Sequence, residues 1–281
     1  MTTESVAADP AETRADITRL SARGYAQIRH IFVQLPDEDK PRASVVAKML
    51  TERKHRALLL YLLLLTAWPW LHDRREPLEA DIWVRALTAS VGPTWSASTL
   101  SRAWSDLAEM GLVTKKREGR LLRVTPRRED GGADYEFPGG RADRWNAYFA
   151  LPDEFWNEAL FAQLSLPALV MMLVIAKETN YKREVWLGYE AVGDWYGIKP
   201  KSAQKGLTEL VDRGIVHRRI ERKKAPLAPG GETVRMWYSL TGTYGHEARS
   251  ALQERARKAT RKRVKAQTVK FAAANAQTGE S

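Results

Sequence analysis

The side chains most able to do chemistry in this chain are two sets of Lys, Arg, Ser, Thr and Gln that follow the same pattern. Each set begins on an amphipathic segment that ends at a glycine and continues onto a ribbon rich in Lys and Arg. Such groups bind phosphates and the edges of bases. The first set comprises Ser98, Thr99, Arg102, Lys115, Lys116, Arg117 and Arg120. The second comprises Lys199, Lys201, Ser202, Gln204, Lys205, Arg218, Arg219, Arg222, Lys223 and Lys224.

Residues that commonly catalyse reactions or bind metals show no such spacing. Cysteine is absent, and the histidines form neither an HExxH pattern nor another metal-ligand spacing. They are His30, His55, His72, His217 and His246. A phosphate-binding GxxxxGK loop, a GxGxxG motif after a strand and a GxSxG nucleophile pattern are also missing. The sequence therefore predicts a protein that is not an enzyme, with no catalytic residue, no metal and no cofactor.

An acidic cluster at residues 36–39 suggests a different chemistry. Its carboxylates could hold Mg²⁺ for a nuclease. The related segment 152–155 lacks the third acid, and both segments follow an apolar run and precede a helix. A turn or helix cap is the simpler interpretation, and Mg²⁺-dependent cleavage of DNA is the observation that would favour a nuclease.

The charge of the chain predicts an anionic partner. Its 281 residues carry a formal net charge of +11, with a pI of about 9.8. Nucleic acid is the first expectation and an acidic membrane surface the second. The longest apolar run, 57–68, is too short to cross a bilayer and is expected to form a core helix. Residues 1–16 are acidic and polar, unlike a signal peptide, so a cytoplasmic protein associated with the nucleoid or a plasmid is expected.

Both sets of polar residues are expected to lie on a helix followed by a β-hairpin. Apolar residues at helical spacing predict helices from about Ser96 to Met110 and from about Lys199 to Arg213. Gly111 and Gly214 follow, and we expect positive φ at both, since glycine commonly ends helices in this conformation. The apolar faces contain Leu100, Ala103, Trp104, Leu107 and Met110 in the first helix and Ala203, Leu207 and Leu210 in the second.

Three matches in the same order indicate an internal duplication. Residues 31–39 match 148–156 as apolar runs that both lead into Leu-Pro-Asp-Glu. Residues 56–67 match 167–178 as long apolar helices, and residues 100–117 match 203–220 as the helices that end at a glycine. The β-branched and aromatic residues of the first run favour a strand within 25–36.

The remaining segments connect and flank these copies. An Asp9 cap with Glu12 predicts an N-terminal helix to about Arg23. The charged, Gly-rich stretch 127–144 predicts an exposed linker. Beyond Gly245 a helix is expected, with nine Lys or Arg against two Glu between residues 246 and 271. Because it lacks a wide apolar stripe, we expect it to dock weakly or extend into solvent.

The order helix, helix, glycine and hairpin resembles the winged helix-turn-helix proteins, in two tandem copies. The segments "STLSRAWSDLAEMGLV" and "KSAQKGLTELVDRGIV" are similar to the passage from the recognition helix into the wing. The resemblance implies a mainly α fold with small β-hairpins (α+β). It implies recognition helices in the DNA major groove and wings on the backbone or minor groove. The expected organisation is an N-terminal helix and strand (1–44), a first winged-helix domain (45–126), a linker (127–146), a second winged-helix domain (147–244) and a basic C-terminal helix and tail (245–281).

The expected function is sequence-specific binding of double-stranded DNA, by a homodimer on repeated or palindromic sites. Two tandem modules without an evident small-molecule site or membrane segment are similar to the organisation of plasmid or mobile-element replication initiators. A winged-helix transcription regulator, acting as a repressor, fits the same residues. A winged-helix module that binds only proteins is a third alternative, and RNA remains open because charge alone does not distinguish nucleic acids.

Overall fold

The computed structural model describes residues 7–36, 42, 44–140 and 143–278, with side chains up to residue 262. The fold is a mixed α and β structure that is mainly helical, and its sheets are small and antiparallel. This agrees with the α+β class expected from the sequence. The acids of the 36–39 cluster and residues 1–6 lie outside the described residues.

The first half of the chain starts with a helix and a strand, continues as helices and ends in a hairpin. Its elements are α1 (Pro10–Ser21), β1 (Tyr25–Arg29), α2 (Val45–Thr51), α3 (His55–Leu71), α4 (Ala80–Leu87), α5 (Ala97–Glu109), β2 (Val113–Glu118) and β3 (Leu121–Pro126). The predicted capping box begins α1, where Asp9 Oδ1 accepts from the Glu12 amide at 2.8 Å.

The second half begins with a strand and closes with the long C-terminal helix. Its elements are β4 (Tyr148–Pro152), α6 (Glu154–Asn157), α7 (Leu160–Gln163), α8 (Leu166–Glu178), β5 (Val185–Trp186), α9 (Tyr189–Tyr196), α10 (Pro200–Asp212), β6 (Val216–Lys224), β7 (Glu232–Leu240) and α11 (His246–Thr278). The sheet of this half has the strand order β5-β7-β6.

Two of the three sequence matches fall on corresponding elements. The apolar runs form α3 and α8, which are buried along most of their length, and the glycine-terminated segments form α5 and α10 with their hairpins. The first match is displaced. In the first half the strand β1 covers only Tyr25–Arg29, and His30–Phe32 forms a 3₁₀ turn. The counterpart of β4 is therefore the segment 25–29 and not residues 31–39.

The two halves share a sheet and a core. β1 pairs antiparallel with β4, and Ile28 lies opposite Phe149. Both of these side chains are fully buried in a cluster that also contains α3, α8 and the inner faces of α5 and α10. The domain boundaries remain a prediction. Buried apolar side chains from both predicted winged-helix domains belong to one continuous cluster. Within the described residues no helix is long and apolar enough to span a bilayer.

The segment predicted as an exposed linker is in part buried, because it supplies the partner of a buried cation. Arg29 is 1% exposed, and its Nη1 lies 2.7 Å from Glu129 Oε2, which is fully buried. Glu129 Oε1 also accepts the Arg29 amide at 3.1 Å, and Arg29 Nε donates to Asn146. An isolated buried charge is costly, so this pairing fixes the segment against β1.

The expectation of a weakly docked C-terminal helix is wrong for its first turns. Arg249 is 2% exposed and donates to the carbonyls of Ala176 and Thr179 at the end of α8, at 2.8 and 3.1 Å. A cation is favourable at this end of a helix, where carbonyls lack helical partners. Leu252 and Ala256 pack on Tyr25 and Tyr148 of the shared sheet. From residue 257 to 262 the side chains are exposed.

Candidate nucleic-acid interface

The start of α10 is fixed by the short turn that precedes it. α9 ends at Gly197, whose φ of +68° is the left-handed conformation that favours glycine. Ile198 is buried, and Pro200 opens α10, where its fixed φ suits the first helical turn. Residues 197–199 alone connect the two helices.

The packing of α10 leaves its polar face in solvent. Its buried side contains Ala203, Leu207 and Leu210, as predicted, and also Gly206. A Cβ on Gly206 would lie 2.3 Å from the carbonyl oxygen of Pro167, so α10 rests directly on the backbone of α8. This close approach was not predicted. The sequence signal for it is that Gly206 follows Ala203, on the predicted apolar face of the helix, by three residues.

The residues that were predicted to contact DNA through α10 lie on the solvent side of its first turns. Ser202 is half-buried, and the others are exposed: Lys199, Lys201, Gln204 and Lys205. Thr208, which sequence reasoning missed, extends the same stripe. Residues 201, 204, 205 and 208 follow helical spacing and could have been identified from it. Three lysines, Lys199, Lys201 and Lys205, therefore lie near the N-terminus of α10, which is the positive end of the helix dipole. This combination suits an anionic ligand.

The second hairpin continues from α10 through Gly214, whose φ is +71° as predicted. Val216 is buried at its base, and direct cross-strand partners share a face of an antiparallel pair. Arg218, Arg222 and Lys224 therefore lie on the Val216 face. Arg219 and Lys223 lie on the other face. The hairpin thus presents cations on both sides.

Several cations of this hairpin already have acidic partners. Arg219 Nη2 lies 2.5 Å from Glu184 Oε1, and Arg222 Nη1 lies 2.5 Å from Glu232 Oε1. Lys223 Nζ is 3.5 Å from Glu221. The hydrogen bond from Arg219 lowers the pKa of Glu184, so that carboxylate stays charged at neutral pH. Among the described residues, Arg218 and Lys224 have no ion pair. Exposed pairs are weak and can be exchanged for phosphate.

The first copy has the same layout with fewer cations. On α5, Ser98 and Arg102 are exposed, whereas the Thr99 hydroxyl is engaged in a capping box with Ser96. The predicted apolar face of this helix is buried except for Met110, which is half-buried. Gly111 has the predicted positive φ, +72°.

The hairpin after α5 lies against that helix. Lys115 Nζ contacts Ser105 Oγ at 3.2 Å, which brings the ribbon beside the exposed side of α5. All four cations predicted on this ribbon are exposed: Lys115, Lys116, Arg117 and Arg120. Arg123 on the return strand is instead paired with Glu118 at 2.8 Å. Its hydrogen bond lowers the pKa of Glu118.

The start of α3 contacts α5 and lies beside α10. Lys54 Nζ lies 2.7 Å from Asp106 of α5, and Arg56 Nε donates to the Thr94 carbonyl just before that helix. His55 lines a groove of about 950 Å³ together with Lys205 of α10. Both helices therefore have residues close to the start of α3, which the sequence alone did not reveal.

The histidines occupy separate environments. Burial, together with Lys177, lowers the pKa of His30 to about 4, and burial lowers that of His55. His217 is exposed on the second hairpin, and His246 Nδ1 lies 2.8 Å from the Thr179 carbonyl. Across the part of the chain that the structure describes, no group of three or more His, Asp or Glu is arranged to hold a metal ion.

Comparisons with protein-family models, curated proteins and solved structures gave no match to this chain.

Proposed function

We propose that the protein binds double-stranded DNA sequence-specifically through two tandem winged helices. The observation that carries the proposal is the exposed stripe of α10 that leads directly into a cationic hairpin. Between residues 216 and 240 there are six Lys or Arg and two Glu. α5 and its hairpin have the same layout. A positive helix beside a positive ribbon fits the major groove and the adjacent phosphates.

The topology of the second copy supports the winged-helix interpretation. α8, β5, α9, α10 and the hairpin follow one another in the order helix, strand, helix, helix and hairpin. β5 adds to the outer side of β7, giving the three-stranded sheet β5-β7-β6. The first copy has α3, α4, α5 and a two-stranded hairpin.

Replication initiation on a plasmid or mobile element is the role that we favour, with the protein acting as a homodimer. Two DNA-reading modules in one chain could cover a site longer than one module does, as repeated origin sequences require. Transcriptional repression is the alternative role, since a regulator would use the same surfaces.

Selection of bound fragments from random and genomic DNA by the full chain tests this function. We expect one enriched motif, with binding that weakens steeply as salt rises. Directly repeated motifs in a replication origin would support initiation, and palindromes overlapping promoters would support repression. The absence of an enriched motif, together with no binding of duplex DNA at about 0.15 M salt, would refute the proposal.

One observation favours protein binding as a second candidate. The second hairpin also exposes apolar side chains, Ile220 at 53%, Val234 at 48% and Leu227 completely. Exposed apolar groups together mark interaction sites for other proteins. Capture of a protein partner that is abolished by Ile220→Ser and Val234→Ser, in a chain with no affinity for DNA, would favour this function over DNA binding.

A further inference from the structure

A second candidate site lies away from both sets of DNA-directed residues. A cleft of about 880 Å³ opens between the exposed part of α11 and the segment 137–140, with the ends of α1 and α3 forming its other walls. None of its lining residues belongs to the interface described above. Its volume lies in the range of small-molecule sites.

The cleft concentrates cations that lack acidic partners. Arg23, Arg257 and Arg261 line it, and none of these three has an ion pair within the described part of the chain. Asp73 is the acid in the lining, and its Oδ1 lies 2.6 Å from His72 Nδ1. Arg257 and Arg261 are four residues apart on a helix, so their side chains leave the same face one turn apart. This arrangement suits a ligand with two adjacent anionic groups.

The aromatic ring of Phe137 lines the same cleft as Arg257 and Arg261. Phe137 is 38% exposed, and the Arg23 guanidinium lies 5.1 Å from the centroid of its ring. The His72 and Tyr135 rings each make a T-shaped contact with the Phe137 ring, with centroid distances of 5.8 and 5.9 Å. A ring and a planar guanidinium held in this way can stack with a heterocyclic base.

We propose that this cleft binds a nucleoside diphosphate. The base stacks on the surface formed by Phe137 and Arg23, and the two phosphates bind Arg257 and Arg261. Guanidinium groups match phosphate geometry through paired N–H donors. The site does not depend on DNA binding by α5 and α10, so either proposal can fail alone.

Isothermal titration calorimetry of the full chain with ADP tests the proposal. We expect saturable binding of ADP, weaker binding of AMP and pyrophosphate, and the weakest binding of adenosine. Arg257→Gln combined with Arg261→Gln should lower the affinity for ADP about 100-fold, at roughly tenfold for each charged hydrogen-bonding partner. Phe137→Leu should lower the affinity for ADP and leave that for pyrophosphate unchanged.

Lys258→Gln is the matched control, because Lys258 lies on the same helix, outside the lining, and pairs with Glu254 at 2.7 Å. It should leave ADP binding unchanged. An unaltered melting temperature of the arginine variant separates loss of the site from loss of folding. Three results would overturn the proposal: no binding of ADP by the wild type, equal affinity for ADP and pyrophosphate, or full ADP affinity in the arginine variant. Displacement of ADP by a short oligothymidylate that binds more tightly would assign the site to single-stranded nucleic acid instead.

Discussion

The cations of the second hairpin that lack acidic partners give the sharpest test of DNA binding. Arg218 and Lys224 are exposed on the same face of the hairpin, and neither forms an ion pair among the described residues. Arg219 and Arg222 are instead already paired with Glu184 and Glu232. We therefore expect the double variant Arg218→Ala/Lys224→Ala to remove two phosphate contacts and to leave no unpaired acid behind.

The magnitude follows from counterion release. Each lost phosphate contact reduces the slope of log K against log salt by about 0.9, so the slope of the variant should be shallower by about 1.8. Raising salt fourfold, from about 50 to about 200 mM, should then cost the wild type about twelvefold more affinity than the variant. Because phosphate contacts carry no base information, cognate and random duplexes should weaken alike.

Fluorescence anisotropy with a labelled duplex, measured across this range of salt, provides the slopes. Arg19→Ala/Lys258→Ala is the control with the same change of charge, since both residues form exposed pairs on helices outside the interface. An unchanged slope in Arg218→Ala/Lys224→Ala would refute the assignment of this hairpin to the DNA backbone. A control slope reduced by the same amount would show that only the net charge matters.

Three further predictions follow from single residues. Lys205→Ala should weaken the cognate duplex by about 1–3 kcal/mol more than random DNA in competition binding, if its ammonium reads a base, whereas equal losses would mean a phosphate contact. Gly206→Ala should lower the free energy of unfolding by about 1–3 kcal/mol because its Cβ meets the backbone at Pro167. Gly193→Ala, whose Cβ has only ordinary contacts, should be neutral or stabilising in the same urea titration. Burial depresses the pKa of His30 to about 4, so its stabilising contribution is complete above pH 6.5 and is lost as pH falls. That loss reaches about 2 kcal/mol by pH 5, and His30→Gln should show a correspondingly smaller drop in stability between pH 7 and pH 5.

Local patterns predicted the parts of the candidate interface that depend on residues close together in the sequence. The apolar periodicity placed α5 and α10 within a residue of their ends, and Gly111 and Gly214 marked their termination because a left-handed residue follows each helix. The hairpins followed from the apolar pairs and turn residues after those glycines. Most of the solvent-side residues could therefore be named from the sequence.

Features that depend on distant partners were not predictable in this way. Glu129 lies in a charged, Gly-rich stretch, and nothing nearby in the sequence indicates that its carboxylate binds a buried arginine a hundred residues earlier, at Arg29. Arg249 has the same local composition as the exposed arginines that follow it. What distinguishes Arg249 is that it donates to the carbonyls of Ala176 and Thr179, which are about 70 residues earlier in the chain. The end of β1 at Arg29 was missed because an apolar run does not by itself distinguish a strand from a 3₁₀ turn.

The pairing of β1 with β4 has a consequence for synthesis on the ribosome. Arg29 and Tyr148 are direct partners separated by 119 residues of chain (148 − 29). At cellular rates of elongation, the ribosome needs about 6–24 s to make that stretch. During this interval β1 has no partner from the second half, and an unpaired strand edge is a template for association with other chains. We therefore expect the yield of folded protein in a cell to depend on how quickly the second half emerges and on how well chaperones shield the first half meanwhile.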